Sequence, residues 1–133
     1  MKMISKIILS LLFLTTILSC NQSNDNTTIS FEKTDYDFGE IAADENVSLL
    51  FRFSNTGEAP LIIKNITTSC GCTVPEWNKK SIMKDEESEI KVDIHPTGPG
   101  IFNSSLTVFY NSDNSPQTLR IKGVVEYLSL LDK

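Results

Sequence analysis

Along most of the chain, apolar side chains recur at every second position. Val47, Leu49, Phe51 and Phe53 alternate with Ser48, Leu50 and Arg52. Ile90, Val92 and Ile94 alternate with Lys91 and Asp93, and Leu119 and Ile121 with Arg120 and Lys122. Phe102, Ser104, Leu106, Val108 and Tyr110 share one face, with Asn103, Ser105, Thr107 and Phe109 on the other. Period-two alternation predicts half-buried strands, because successive side chains of a strand point to opposite faces. Leu61-Ile62-Ile63 leads another strand towards Thr68, and two short segments at Ile29–Phe31 and Tyr36–Phe38 predict an early edge strand that breaks and resumes. Between the runs stand Asn55-Thr56-Gly57-Glu58-Ala59-Pro60, Pro96-Thr97-Gly98-Pro99-Gly100 and Asn111 to Pro116. Gly admits positive φ and Pro fixes φ, so these segments are turns. No stripe of helical period accompanies them. About seven short strands separated by turns predict an all-β domain over residues 28–127. The architecture expected is a single immunoglobulin-like antiparallel β-sandwich, followed by a tail at 128–133. The two well-separated core cysteines that flank a Trp in antibody domains do not occur, so the expectation is Ig-like rather than antibody-like.

The first twenty residues follow a different rule. Lys2 and Lys6 precede a largely apolar run from Ile4 to Leu18, and Ile17-Leu18-Ser19-Cys20 closes it. The run is short for a membrane span, which needs ~20 apolar residues, and fits a secretory signal. Its closing residues resemble a bacterial lipobox, with an aliphatic residue three before a cysteine and a small one just before it. Leu18 is bulkier than the usual occupant of its position. The resemblance implies a signal peptide at 1–19, cleavage before Cys20, and acyl chains on the Cys20 thiol that join the protein to a lipid bilayer. Several chains on one cysteine hold firmly, because each buried methylene contributes ~0.8 kcal/mol. Asn21 to Thr27 is polar and reads, with Cys20, as a flexible tether at 20–27. The expected location is the bacterial cell envelope, periplasmic or surface-exposed.

Charge narrows the partners. After Cys20 the chain carries 17 acids against 10 bases, a balance of -7. Phosphate binding needs a basic surface, so nucleic acid is not expected as a partner. The densest like-charge cluster, Asp85-Glu86-Glu87, reads as a solvated turn.

Four segments carry a family resemblance: Asp37-Phe38-Gly39-Glu40-Ile41, Phe51-Arg52-Phe53-Ser54-Asn55-Thr56-Gly57, Pro60-Leu61-Ile62-Ile63 and Thr68-Ser69-Cys70-Gly71-Cys72-Thr73-Val74-Pro75. With them the chain resembles domain of unknown function 1573, a family of mostly exported or lipid-anchored proteins of Bacteroidota-type bacteria. The resemblance implies a sandwich similar to those of pilus chaperones and major sperm protein. It supports fold and location and names no activity. Before Glu86, Ile82-Met83-Lys84-Asp85 departs from the Pro-Gly that members often carry there.

The remaining chemistry centres on Cys70 and Cys72, separated only by Gly71. An oxidising compartment favours paired thiols. In a regular strand, residues two apart face the same side with their Cβ atoms beyond the ~3.8 Å a disulfide needs, and Gly71 can supply the bend. Four readings stay open: a local structural thiol pair or disulfide, a soft-metal clasp for Cu(I) or Zn(II), thiol–disulfide exchange, and an intermolecular bridge. Met83 is the methionine of the mature chain and His95 the single histidine. His95, before Pro96, reads as a surface or turn residue, and Trp77 as rim packing or an exposed anchor. No Gly-x-Ser-x-Gly elbow or glycine-rich phosphate loop occurs. The sequence therefore predicts a non-enzymatic binding or scaffolding lipoprotein without a cofactor, acting on a protein partner. Its rival is a thiol-redox or copper protein that uses Cys70 and Cys72.

Overall fold

The computed structural model describes residues 26–43 and 45–126. The expected signal peptide, Cys20, the tether up to Asp25 and the tail at 128–133 lie outside them. Eight strands follow in order: β1 (Ile29–Phe31), β2 (Asp35–Ile41), β3 (Val47–Asn55), β4 (Ile63–Thr68), β5 (Thr73–Trp77), β6 (Glu87–Ile94), β7 (Gly100–Tyr110) and β8 (Gln117–Val125). They form two four-stranded sheets, β1-β3-β6-β5 and β2-β8-β7-β4, packed as a sandwich.

The period-two phases survive as burial. Leu49, Phe51, Phe53, Ile90, Val92, Ile94, Leu106, Val108, Tyr110, Leu119 and Ile121 face inward and form one core with Leu61, Ile63 and Ile82. Each such side chain, fully buried, contributes ~1.5–3 kcal/mol. Leu61 and Ile82 lie outside the strands and exchange two backbone hydrogen bonds of 2.8 Å, which ties the segment before β4 to the segment before β6.

Two features depart from the expected pattern. The interrupted early strand is divided between the sheets: β1 pairs antiparallel with β3, and β2 pairs parallel with β8. Three residues, Glu32 to Thr34, carry the chain across without reversing it, so β2 keeps the direction of β1 and runs alongside β8. The sandwich is antiparallel elsewhere. The second departure is β5, which the sequence conceals. It is five residues long and contains Pro75, yet it pairs with β6 from Thr73↔Ile94 to Trp77↔Ile90.

Strand direction sorts the connections onto two poles. Asn26–Thr28 and the turns 55–62, 78–86 and 111–116 lie at the N-terminal pole. Residues 42–43 and 45–46 and the turns 69–72 and 95–99 lie at the other, with Glu126 at the end of β8; we call it the cysteine pole.

Candidate functional site

At the N-terminal pole the incoming chain is locked into the fold. The carbonyl of Asn26 accepts from Glu58 N–H, that of Thr28 from Thr56 N–H (both 2.9 Å), and that of Thr27 from the Ser112 hydroxyl at 2.5 Å. Thr27 is 1% exposed. The fold therefore starts before Thr28, the boundary expected from sequence, because backbone hydrogen bonds rather than apolar side chains hold these residues. Gly57 permits the approach: a Cβ there would stand 2.2 Å from the Asn26 carbonyl oxygen and 2.5 Å from the Thr28 nitrogen. Asn55, fully buried, organises the same pole. Its amide donates to the carbonyls of Ala59 and Ile82 at 2.8 and 2.9 Å, and its Oδ1 accepts from Gly57 N–H at 3.0 Å.

At the cysteine pole, Cys70-Gly71-Cys72 makes the turn by which the chain leaves β4 in one sheet for β5 in the other. Cys70 and Cys72 are joined by a disulfide across a Cα–Cα distance of 5.2 Å. Both are half-buried and Gly71 is exposed. The pair sits in a turn, so the separation that a regular strand would impose does not apply. The Cys70 carbonyl accepts from Thr73 N–H at 3.2 Å and from the Thr68 hydroxyl at 3.1 Å, and the Cys72 carbonyl from His95 N–H at 2.9 Å. Below the turn, the buried Thr73 and Ser104 hydroxyls meet at 2.9 Å and link the two sheets. The His95 ring is turned to Asn46, with Nδ1 2.9 Å from Oδ1. Met83 lies at the opposite pole. Among the described residues, no group of three or more His, Cys, Asp or Glu is placed to hold a metal ion. Trp77 packs against the core at the rim, with the Lys79 ammonium 5.4 Å from its ring centroid.

The outer faces carry charge pairs, within β6 on the first sheet and between β2 and β8 on the second. On the first sheet, Asp93 accepts from the Ser48 hydroxyl at 2.5 Å and from Lys91 at 2.9 Å. Those two donors, the hydroxyl foremost, hold its carboxyl below the usual carboxylate range. On the second sheet, Asp37 is lowered by the Gly39 N–H first and then by Lys122, 3.2 Å away. Arg120 faces Asp35 at 3.9 Å. Asp35, Asp37, Lys91, Arg120 and Lys122 are exposed and Asp93 half-buried, and the charges are matched, which suits recognition and solubility rather than proton transfer.

Beside the free flank of β3 lies a shallow trough, lined by Glu32, Lys33, Tyr36, the β3 residues Ser48 to Arg52, and Lys91. The sequence reading did not single it out. Its one legible trace is Leu50, an apolar side chain on the polar phase of β3 and 45% exposed.

Fold and site geometry together define an Ig-like β-sandwich of the PapD and major-sperm-protein type. The human CEP192 ASH/PapD-like domain matches it with a TM-score of 0.64 at 7% identity, over 85% of this chain and 95% of that one. Residues 29–125 match the family described as protein of unknown function (DUF1573), and the chain belongs to that family. A protein of unknown function from Porphyromonas gingivalis W83 is similar in structure, with a TM-score of 0.68 and 14% identity over 75% of this chain and 47% of that one. So is the Vibrio cholerae VesB protease, with a TM-score of 0.60 and 13% identity over 75% of this chain and 32% of the other. The chain thus spans about half of the first and a third of the second. At such identities the likeness is one of fold alone. No curated protein matches the sequence.

Proposed function

We propose that the protein is a lipid-anchored module of the bacterial cell envelope that binds a protein partner without catalysis. The carrying observation is the polarity of the fold. The chain enters through the locked residues Asn26–Thr28 at one pole, and the cysteine turn stands at the other. Five residues separate Cys20 from Asn26, a reach of at most about 20 Å. An acylated Cys20 therefore holds the N-terminal pole close to the bilayer and directs the cysteine pole and the strand flanks away from it. The test is metabolic labelling with palmitate in the native envelope. Label enters the full chain and not a Cys20→Ala variant, and the protein fractionates with membranes. Unlabelled protein among cytosolic markers would overturn the reading. Turnover by the purified chain that vanished with a single substitution would overturn its non-catalytic part.

A second reading is favoured by the half-exposed position of the Cys70–Cys72 disulfide on the outward pole: thiol–disulfide exchange, or a soft-metal clasp once reduced. Intact mass with alkylation, before and after a thiol reductant, together with metal analysis, separates the two. Stoichiometric Cu(I) lost in Cys70→Ser supports the clasp. A disulfide that persists in the purified chain, does not exchange with a dithiol and carries no metal removes this reading.

A further inference from the structure

An uncovered sheet edge invites pairing with another chain, and proteins usually blunt such edges. Most edges here are blunted. In β5 the even-numbered residues face β6, as the His95 N–H bond to the Cys72 carbonyl shows, so Pro75 turns its donor-free nitrogen outward. β4 is bulged between Ile63 and Asn65. β2 is bulged between Asp37 and Glu40, with Gly39 at φ 68°. β1 is three residues long.

The flank of β3 differs. β1 covers only Phe53–Asn55, and the Glu32 N–H reaches the Arg52 carbonyl at 3.0 Å. From Val47 to Phe51 no strand lies on that side, while the register with β6 runs unbroken on the other. Thr56 and Arg52 bond towards β1 and Asn55 towards the β6 side, so even-numbered residues of β3 face the gap. The N–H and C=O groups of Ser48 and Leu50 therefore point into the trough, in a stretch free of Pro, Gly and bulges.

We propose that residues 47–51 of β3 dock an extended segment of a partner protein as an added strand, and that this segment alternates apolar and acidic side chains. Side chains of the added strand on the inner phase meet Tyr36, 37% exposed, and the flanks of Leu49 and Phe51. Those on the outer phase lie beside Leu50 and among Lys33, Arg52 and Lys91, with Glu32 lining the trough and Glu89 across from Arg52 on β6. Lys91 already pairs with Asp93; Lys33 and Arg52 make no ion pair among the described residues. Two cations without an ion pair, on a mature chain of balance -7, select an acidic occupant. A second copy of this chain is a poor occupant. It brings the same cations to the same gap. Antiparallel self-pairing about Leu49 also sets opposite poles side by side, about 35 Å apart along an eleven-residue strand such as β7. The short tether forbids that within one membrane, a point that rests on the anchoring proposed above.

The experiment uses the full chain in detergent micelles and two capped heptapeptides, one alternating valine with glutamate and one alternating valine with lysine. The glutamate peptide slows amide exchange at Ser48 and Leu50 by about ten-fold or more. The lysine peptide, the glutamate peptide N-methylated on its β3-facing residues, and the Arg52→Glu chain each bind about ten-fold more weakly or worse. Arg52 is exposed, so its replacement leaves the core intact. Protection at β4 or β5 instead, equal binding of both peptides, unchanged exchange at saturating peptide, or concentration-dependent protection without peptide would each overturn the proposal. Palmitate labelling reads the anchoring separately, so failure of one measurement leaves the other standing.

Discussion

Asn55 ties together the turn after β3, the residue before β6's approach and the backbone of Gly57 with a single buried side chain. Asn55→Ala leaves the Ala59 carbonyl and the Gly57 N–H without their partner at a buried site and takes one of two donors from the Ile82 carbonyl, and should lower stability by about 2–4 kcal/mol, read from the urea midpoint. Gly57→Ala forces a methyl into the backbone of Asn26–Thr28. It should cost about 2–3 kcal/mol and speed amide exchange at Thr56 and Glu58, the donors of the lock. The sequence marks Asn55-Thr56-Gly57 as a turn through its residue types. It does not reveal that Gly57 is needed for close approach of a distant segment, because that demand arises only when the two meet. A third effect is electrostatic. Asp93 and Asp37 have carboxyls lowered by donors present in the fold. A lowered folded-state pKa favours the fold above the unfolded value, and the benefit is lost as pH falls through the folded one. Stability should therefore decline below about pH 4, and Asp93→Asn should flatten that decline in thermal melts taken between neutral and acidic pH.

Strands were legible wherever alternation ran for five or more residues with a turn on each side, as in β3, β6 and β7. Where the chain relies on neighbours instead, the pattern failed. β5 has Pro75 on its free flank and draws its order from β6 and from the turn before it. The sheet change between β1 and β2 was visible as an interruption but not as a change of partner, because the residues on both sides keep the same alternation. Of the candidate sites, the closeness of Cys70 and Cys72 was legible in the sequence, which left open what chemistry the two thiols carry. The trough was not, since Lys33 comes from the connection between β1 and β2, and Tyr36, Arg52 and Lys91 from three different strands. The cysteine turn itself invites a measurement. Its loop is so short that closing it removes little entropy from the unfolded chain, so Cys70→Ser with Cys72→Ser should lose only about 1–2 kcal/mol in chemical denaturation and still fold. The bonds from His95 and Thr73 to the cysteine carbonyls remain available to hold the crossing.

At the scale of the molecule, the two poles differ in what they face. The N-terminal pole carries Glu58, Asp85, Glu86 and Asp113 against Lys79, Lys80 and Lys84, a balance that gives it no attraction to an anionic bilayer. Held by a lipid and not drawn down by charge, the sandwich should stand on its tether. In vesicles, nitroxide lipids should quench a fluorophore at position 83 more strongly than one at position 98; equal quenching would mean that it lies flat. The parallel pairing of β2 with β8 then acquires a mechanical meaning. Asn26 and Glu126 leave from opposite poles, so tension between the ends drags β2 and β8 lengthwise past each other, and all their bonds bear load together, as in a lap joint rather than a zip fastener.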